Sequence, residues 1–263
     1  MHGSSRSQLE EAGYIRAQLF SGKRSLVRRY ADLVVGMEAG MGELARYELI
    51  TMLFGRVSGA LGLALRKLAF PSLFKACGRG VVFGRDLTLR NTGRISLGEN
   101  AVLDDGCVID GRGAGEEGVR IGARTILGRD VSIQAKIGPV HIGDDCDIGM
   151  STVLHAQGGL FIGDAVVMGG GCKVSGGGFQ IALAAGSAEG EQAARAQTRW
   201  TSGPIRIGNR CLIGMGTIIL DGVEIGDGAV IGAGSVLNRS IPANAVAAGS
   251  PCRVLRMRDQ KGA

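Results

Sequence analysis

The chain has 263 residues, 46 of them glycine and 5 proline, and carries 30 Lys+Arg against 24 Asp+Glu. Hydrophobic residues make up 45% and aromatics 4%, so the core must be aliphatic, and neither a disordered chain nor collagen fits, the glycines lacking a period of three. The net charge of +6 favours phosphates, nucleotides or an anionic membrane face as partners but, with no nucleic-acid-binding motif, excludes a nucleic-acid reader.

No run of 18 uncharged apolar residues is present, which argues against a transmembrane helix. The N-terminus shows no basic-then-apolar signal pattern. A cytoplasmic protein is expected, with the inner membrane face as an alternative site.

Residues 1–75 read as a helical extension. Two apolar helices are predicted at 43–54 and 57–68, broken around Gly55 and stopped before Pro71. Lys23, Arg24, Arg28 and Arg29 form a basic cluster upstream. The segment is either a cap over the end of the domain that follows or a membrane-surface anchor through residues 43–70. The cap is favoured.

Residues 76–242 carry a period of six. Leu97, Leu103 and Ile109 begin it. Ile121, Leu127, Ile133; Ile142, Ile148, Leu154; Ile162, Met168, Val174; Ile207, Ile213, Ile219; and Ile225, Ile231, Leu237 continue it. Six matches neither the helical period of 3.6 nor the strand period of 2, but suits a short strand plus a turn, repeated. Three such units make a triangular coil with one large aliphatic side chain inward on each side. Each coil exposes its inner face until another stacks on it. The expected fold is an all-β solenoid, a parallel β-helix. Glycine follows eleven of the eighteen aliphatic positions, as expected for corners with unusual backbone angles. Phe83, Leu89 and Ile95 suggest one irregular coil before the array.

Four of the six cysteines, Cys107, Cys146, Cys172 and Cys211, occupy the small position four residues after an inward aliphatic. They read as buried apolar groups rather than as metal ligands or disulfide partners. Coil starts at 97, 121, 142, 162, 207 and 225 leave one long insertion, the loop 180–206. Long loops on rigid scaffolds tend to carry function. Residues 243–263 read as a tail.

The stretch 47–256 resembles the hexapeptide-repeat acyltransferases with a left-handed β-helix, in particular the polysaccharide and sugar O-acetyltransferase branch. Two segments carry the resemblance: ALGLALRKLAFPSLF at 60–74 and IGDGAVIGAGSVLNRSIPANAVAAGSPCR at 225–253. It implies a homotrimer with active sites in the clefts between subunits. Acetyl-CoA or another acyl-CoA is the implied co-substrate, and no metal is needed. A histidine would deprotonate a hydroxyl or amino group of a sugar or other small acceptor, while backbone N–H groups stabilise the oxyanion. The acyl-CoA end maps to Gly232, Gly234, Ser235, Gly249, Arg253 and Arg256, the arginines contacting CoA phosphates.

At two positions the chain departs from that family. Phe179, within VSGGGF, stands where the family places its histidine, and Leu212 where it places a tryptophan. Only His2, His141 and His155 exist. His155 is the candidate general base. The repeat count places it in a polar column with Asp110, Gln134 and Ser175, next to the loop. His141 sits at a corner further from the loop. The loop itself offers Glu189, Glu191, Arg195, Gln197, Arg199 and Trp200, whose carboxylates could replace the imidazole if partly buried. Two readings follow: an acyl-CoA-dependent acyltransferase, or a catalytically degenerate binding or assembly protein on the same scaffold. A zinc carbonic anhydrase is excluded, because it needs three histidines at an interface.

Overall fold

The computed structural model describes residues 25–37, 39–180, 199–201 and 203–258. Three helices open it: α1, Leu26–Val34; α2, Met41–Phe54; and α3, Gly59–Ala69. The last two are the predicted pair. The sequence assigns α1 only a basic cluster, yet Ser25 caps it by accepting the Arg28 N–H at 3.2 Å. Arg28 is drawn inward, to Asp32 at 3.2 Å and to the carbonyls of Met37 and Ala39 at 2.7 and 3.0 Å. Lys23 and Arg24 lie outside the described residues.

The chain then winds as a left-handed parallel β-helix. Strands of two to six residues form three flat faces. The first and third faces hold seven strands each, one per coil, and the second holds nine. Like residues stack on like. Ile142 lies opposite Ile121 below and Ile162 above. All eighteen aliphatic positions of the repeat are at most 4% exposed. Coil one is regular rather than irregular, since Cys77, Phe83 and Leu89 pair in register with Leu97, Leu103 and Ile109.

The glycines of the repeat serve a different purpose from the one expected. None of the eleven has a positive φ. A Cβ on Gly122 would lie 2.2 Å from the Gly143 carbonyl oxygen, and one on Gly149 would lie 2.5 Å from the Gly170 amide nitrogen. These positions exclude a side chain because the next coil passes too close. The left-handed turn comes two residues later, at Asn100, Arg124, Asp145, Ala165 and Arg210, with φ between 53° and 56°. A ladder of side chains fixes the same corner. Asp144, Asp164, Asn209 and Asp227 each accept, through Oδ1, a backbone N–H of the coil before, at 2.7–2.9 Å.

Coil one has no coil beneath it, so its lower edge must be capped. Phe70 and Phe74 close the end of the core against Phe83, with ring centroids 5.5 and 5.6 Å away. Arg66, only 3% exposed, donates to the orphan carbonyl of Phe83 at 2.9 Å and to Val57 at 2.7 Å. Tyr47 donates to the Leu89 carbonyl at 2.7 Å. Tyr47, Arg66, Phe70 and Phe74 thus cover the lower edge of coil one. At the other end, Ala245–Ala248 extends the second face, and Arg253–Met257 returns antiparallel over it. Among the described residues no helix is long and apolar enough to cross a membrane.

The four repeat cysteines are at most 1% exposed. Their thiols donate to carbonyls of adjoining coils, Cys107 to Gly128 at 3.2 Å and Cys146 to Gly163 at 3.1 Å. Burial pushes the Cys107 thiol up to about 12. Alkylation of the native protein with iodoacetamide should modify Cys77, which is half-buried, and spare these four. Labelling of any repeat cysteine without unfolding, read by mass spectrometry, would refute this packing.

The two kinds of corner position give opposite expectations. Gly149→Ala should destabilise by more than about 1 kcal/mol, because backbone rather than a flexible side chain must move. Ala165→Gly, exposed and left-handed, should be neutral or stabilising by up to about 1 kcal/mol. Chemical denaturation of the two variants checks the pair of signs.

Candidate functional site

Outward residues of the three faces differ in chemistry. On the second face one column reads Val82, Val102, Ile126, Asp147, Val167, Leu212, Val230, Val246. Ile126, Val167 and Leu212 are 43–46% exposed. The first-face column, Ser96, Arg120, His141, Phe161, Arg206, Glu224, is mostly polar.

The third face carries the polar column expected from the repeat. Asp110 pairs with Gln134, Gln134 with His155 and His155 with Ser175, at a strand spacing of about 4.8 Å. Asp110 is clamped by Arg112, whose Nε lies 2.9 and 3.0 Å from the two carboxylate oxygens. The Ser175 hydroxyl donates to the Gly177 carbonyl at 3.0 Å. The Gly176 N–H donates to the His155 carbonyl at 2.7 Å. The His155 ring is half-buried and makes no hydrogen bond to another described residue. Burial lowers its pKa, and the positive charge of Lys136 lowers it further. The ring is thus held as a neutral imidazole, able to accept a proton.

The loop begins three residues beyond Ser175. Gly178–Gln180 and Arg199–Thr201 form an antiparallel pair, with Phe179 opposite Trp200. The expected insertion therefore starts as a hairpin rooted beside the His155 column. Glu189, Glu191, Arg195 and Gln197 lie outside the described residues.

His141 is on a different face. Its ring meets Phe161 edge-on at 5.4 Å, and Arg206 lies over the same phenyl ring at 4.5 Å. Burial and Arg120 lower its pKa, while Glu117 opposes them. The structure separates it from His155 and from the hairpin. This cation–aromatic stack has no signal in the sequence, because its members come from three coils.

The residues expected at the acyl-CoA end adjoin one another. Gly232 faces Ala248, and the Gly249 N–H donates to Ser235 Oγ at 3.1 Å. The N–H groups of Gly232 and Gly234 donate within the solenoid, to Ala247 and Met215, both at 2.8 Å. Ser235 is fully buried and donates to the Gly232 carbonyl at 2.6 Å. Gly232, Gly234 and Gly249 themselves add no side chain there, and buried Ser235 adds none outward. Arg253 and Arg256 are exposed on the returning strand beside it. Among the described residues no cluster of His, Cys, Asp and Glu could hold a metal ion.

Coil, register and repeat together define a left-handed β-helix built on a six-residue repeat. Residues 204–239 match the model described as Bacterial transferase hexapeptide (six repeats), and residues 118–156 match the Hexapeptide repeat of succinyl-transferase. The chain is similar to the Saccharomyces cerevisiae protein named "Putative acetyltransferase YJL218W", 38% identical over 58 residues, which span 22% of this chain and 30% of that protein. Among solved structures it resembles a point mutant of AntD, an N-acyltransferase from Bacillus cereus, in complex with dTDP and coenzyme A. The identity is 20%, the coverage 79% of this chain and 92% of that one, and the TM-score 0.51. It also resembles a maltose O-acetyltransferase from Clostridium difficile 630, at 22% identity, 84% and 88% coverage and a TM-score of 0.43. At 20% identity the likeness to AntD bears on the fold alone.

Proposed function

We propose that this protein is an acyl-CoA-dependent acyltransferase, acting on a hydroxyl or amino group of a sugar or another small acceptor. The observation that carries the reading is the polar third-face column, which sets a neutral imidazole, with no hydrogen bond to another described residue, beside the root of the hairpin at 178–201. Transferase-type repeats support it, as do the names of two relatives, an acetyltransferase and an N-acyltransferase. In the proposed mechanism His155 takes the proton of the acceptor as it attacks the thioester. The thiol of coenzyme A leaves. The surface at Gly232, Gly234 and Gly249 accommodates the pantetheine, and Arg253 and Arg256 pair with CoA phosphates. The apolar second face supports a homotrimer in which these strips meet a neighbouring subunit. Exposed Leu49, Met52, Leu61 and Leu68 on the cap support a peripheral contact with the cytoplasmic face of a membrane.

Phe179 and Leu212 favour the second reading, a binding or assembly protein that has lost catalysis. Acyl-CoA that raises the melting temperature while no free thiol appears with any sugar acceptor would establish that reading in place of the first.

If His155 is the base, His155→Ala lowers turnover by about 10²–10⁴ and leaves acyl-CoA affinity nearly unchanged. A loss smaller than about threefold would remove it from the mechanism. Because its pKa is lowered, the free base persists below the ordinary imidazole value near 6.5. Activity should hold through that value and fall only as pH drops through the lowered one. Lys136→Glu should move this acid limb upward. Phe179→His, which restores the family residue, should add activity on sugar hydroxyls if the scaffold still positions both substrates.

The homotrimer is checked by light scattering at micromolar concentration. A monomer there would remove the inter-subunit cleft from the mechanism.

A further inference from the structure

The two long connections of the solenoid leave from one edge, that between the third and first faces. The hairpin at 178–201 is the upper one. The lower one, residues 111–118, lies beneath α1 and the start of α2. A cavity of about 660 Å³ opens between them, lined by Lys75, Asn91, Arg94 and Arg112 from the solenoid and by Asp32 and Glu43 from the cap. That volume suits a small-molecule ligand.

The charges around it are unequally occupied. Asp32 is bridged by Arg28 at 3.2 Å. Glu43 accepts the Gly40 N–H at 3.1 Å. Asp110 and Arg112 satisfy each other. Glu116 stands exposed at the rim. Two cations remain. Among the described residues Lys75 reaches only the Glu116 carbonyl, at 3.4 Å. The half-buried Arg94 guanidinium has no hydrogen bond or ion pair to another described residue. A half-buried cation on a cavity wall, bonded to none of the described carboxylates around it, is a site for an anion. An arginine fork from the 3-10 turn Thr92–Arg94 and a lysine point charge from the bend before Ala76 suit the several oxygens of a phosphate better than one planar carboxylate. Gly36, Gly93 and Gly115 on the walls leave backbone rather than side chains in the space between them.

The cavity also has a direction. Arg112 is fixed to Asp110, the foot of the column that rises through Gln134 to His155. Two strand spacings, about 10 Å, separate Asp110 from His155.

We propose that this cavity binds the phosphate of a phosphorylated small molecule between Arg94 and Lys75, and that this molecule is the acyl acceptor, its other end lying along the third face toward His155. That the cavity takes phosphate rests on its own charges. That the ligand is the acceptor rests on the acyltransferase reading.

Isothermal titration of the full chain with inorganic pyrophosphate tests the site without catalysis. It is done on an Arg253→Ala/Arg256→Ala background, so that the proposed CoA contacts do not contribute. Saturable binding is expected. Adding Arg94→Ala and Lys75→Ala should weaken it about tenfold or more, while Arg79→Ala, which removes an exposed arginine of the same coil, should not. Arg94→Gln, read beside a thermal melt, separates lost binding from lost folding. Absence of saturable binding, unchanged affinity in the Arg94/Lys75 variant, or binding of malonate in preference to pyrophosphate would overturn the phosphate site. In the thiol-release assay a sugar phosphate should show a lower KM than its parent sugar, and the Arg94/Lys75 variant should erase the difference. Turnover with no such difference would overturn the acceptor role alone. Absence of turnover with every acceptor would count against the acyltransferase reading, while the titration still decides the site.

Discussion

The close approach of one coil to the next is the constraint from which the rest follows. Adjacent strands stand about 4.8 Å apart, and the corners come closer. At those corners the following coil's backbone occupies the space where a Cβ would stand, as at Gly122 and Gly149. Once that approach is fixed, each inward residue meets only its counterparts above and below. Ile142 between Ile121 and Ile162 is the local form of the whole core. The aromatic-poor composition follows too, since a phenyl ring does not fit three to a coil. Aromatics enter the core only at its lower end, where Phe70, Phe74 and Phe83 close it. There the constraint is lifted because no further coil must stack.

How much of this is legible in the sequence depends on whether a feature repeats. The eighteen inward positions, the coil starts and the burial of Cys107, Cys146, Cys172 and Cys211 all repeat, and all are readable. So is the column from Asp110 to Ser175, because strand register follows from the repeat count. Features that occur once are not. α1 has no periodic partner, and its basic residues hide an N-cap at Ser25. Arg66 reads as one more charged helix residue, yet it is buried because coil one's Phe83 carbonyl needs a donor. The glycine pattern is plain, but its cause is not. Sequence shows that a side chain is absent, without showing whether the reason is torsional or steric, and here the torsion falls two residues later, on Asn100, Arg124 and Ala165.

The functional surface is less legible for a related reason. Outward residues are free of the packing that disciplines inward ones, so their pattern carries no period to read. His141 and His155 each stand in a coil's outward position, and only the face distinguishes them. One is held against Phe161 and the other stands open beside the hairpin. Their surroundings lower both pKa values through burial first. A neutral imidazole is therefore common to both, and geometry rather than ionisation selects between them.

A solenoid of this kind separates stability from chemistry. Each coil's stabilisation comes from its own inward residues and its two neighbours, so energetic coupling is short-ranged. An outward change alters none of the inward contacts. The fold is therefore compatible with a catalytic step that is kept, moved or lost. By the same logic a base could shift to a neighbouring coil without disturbing the core. A move from the hairpin root to His155 is one coil along the same face, from the strand that ends at Ser175 to its register partner. Such a displacement of about 4.8 Å is the smallest step that the architecture allows. It keeps the acceptor on the same face and requires only that the acceptor sit one coil lower, nearer the charged edge beneath the cap.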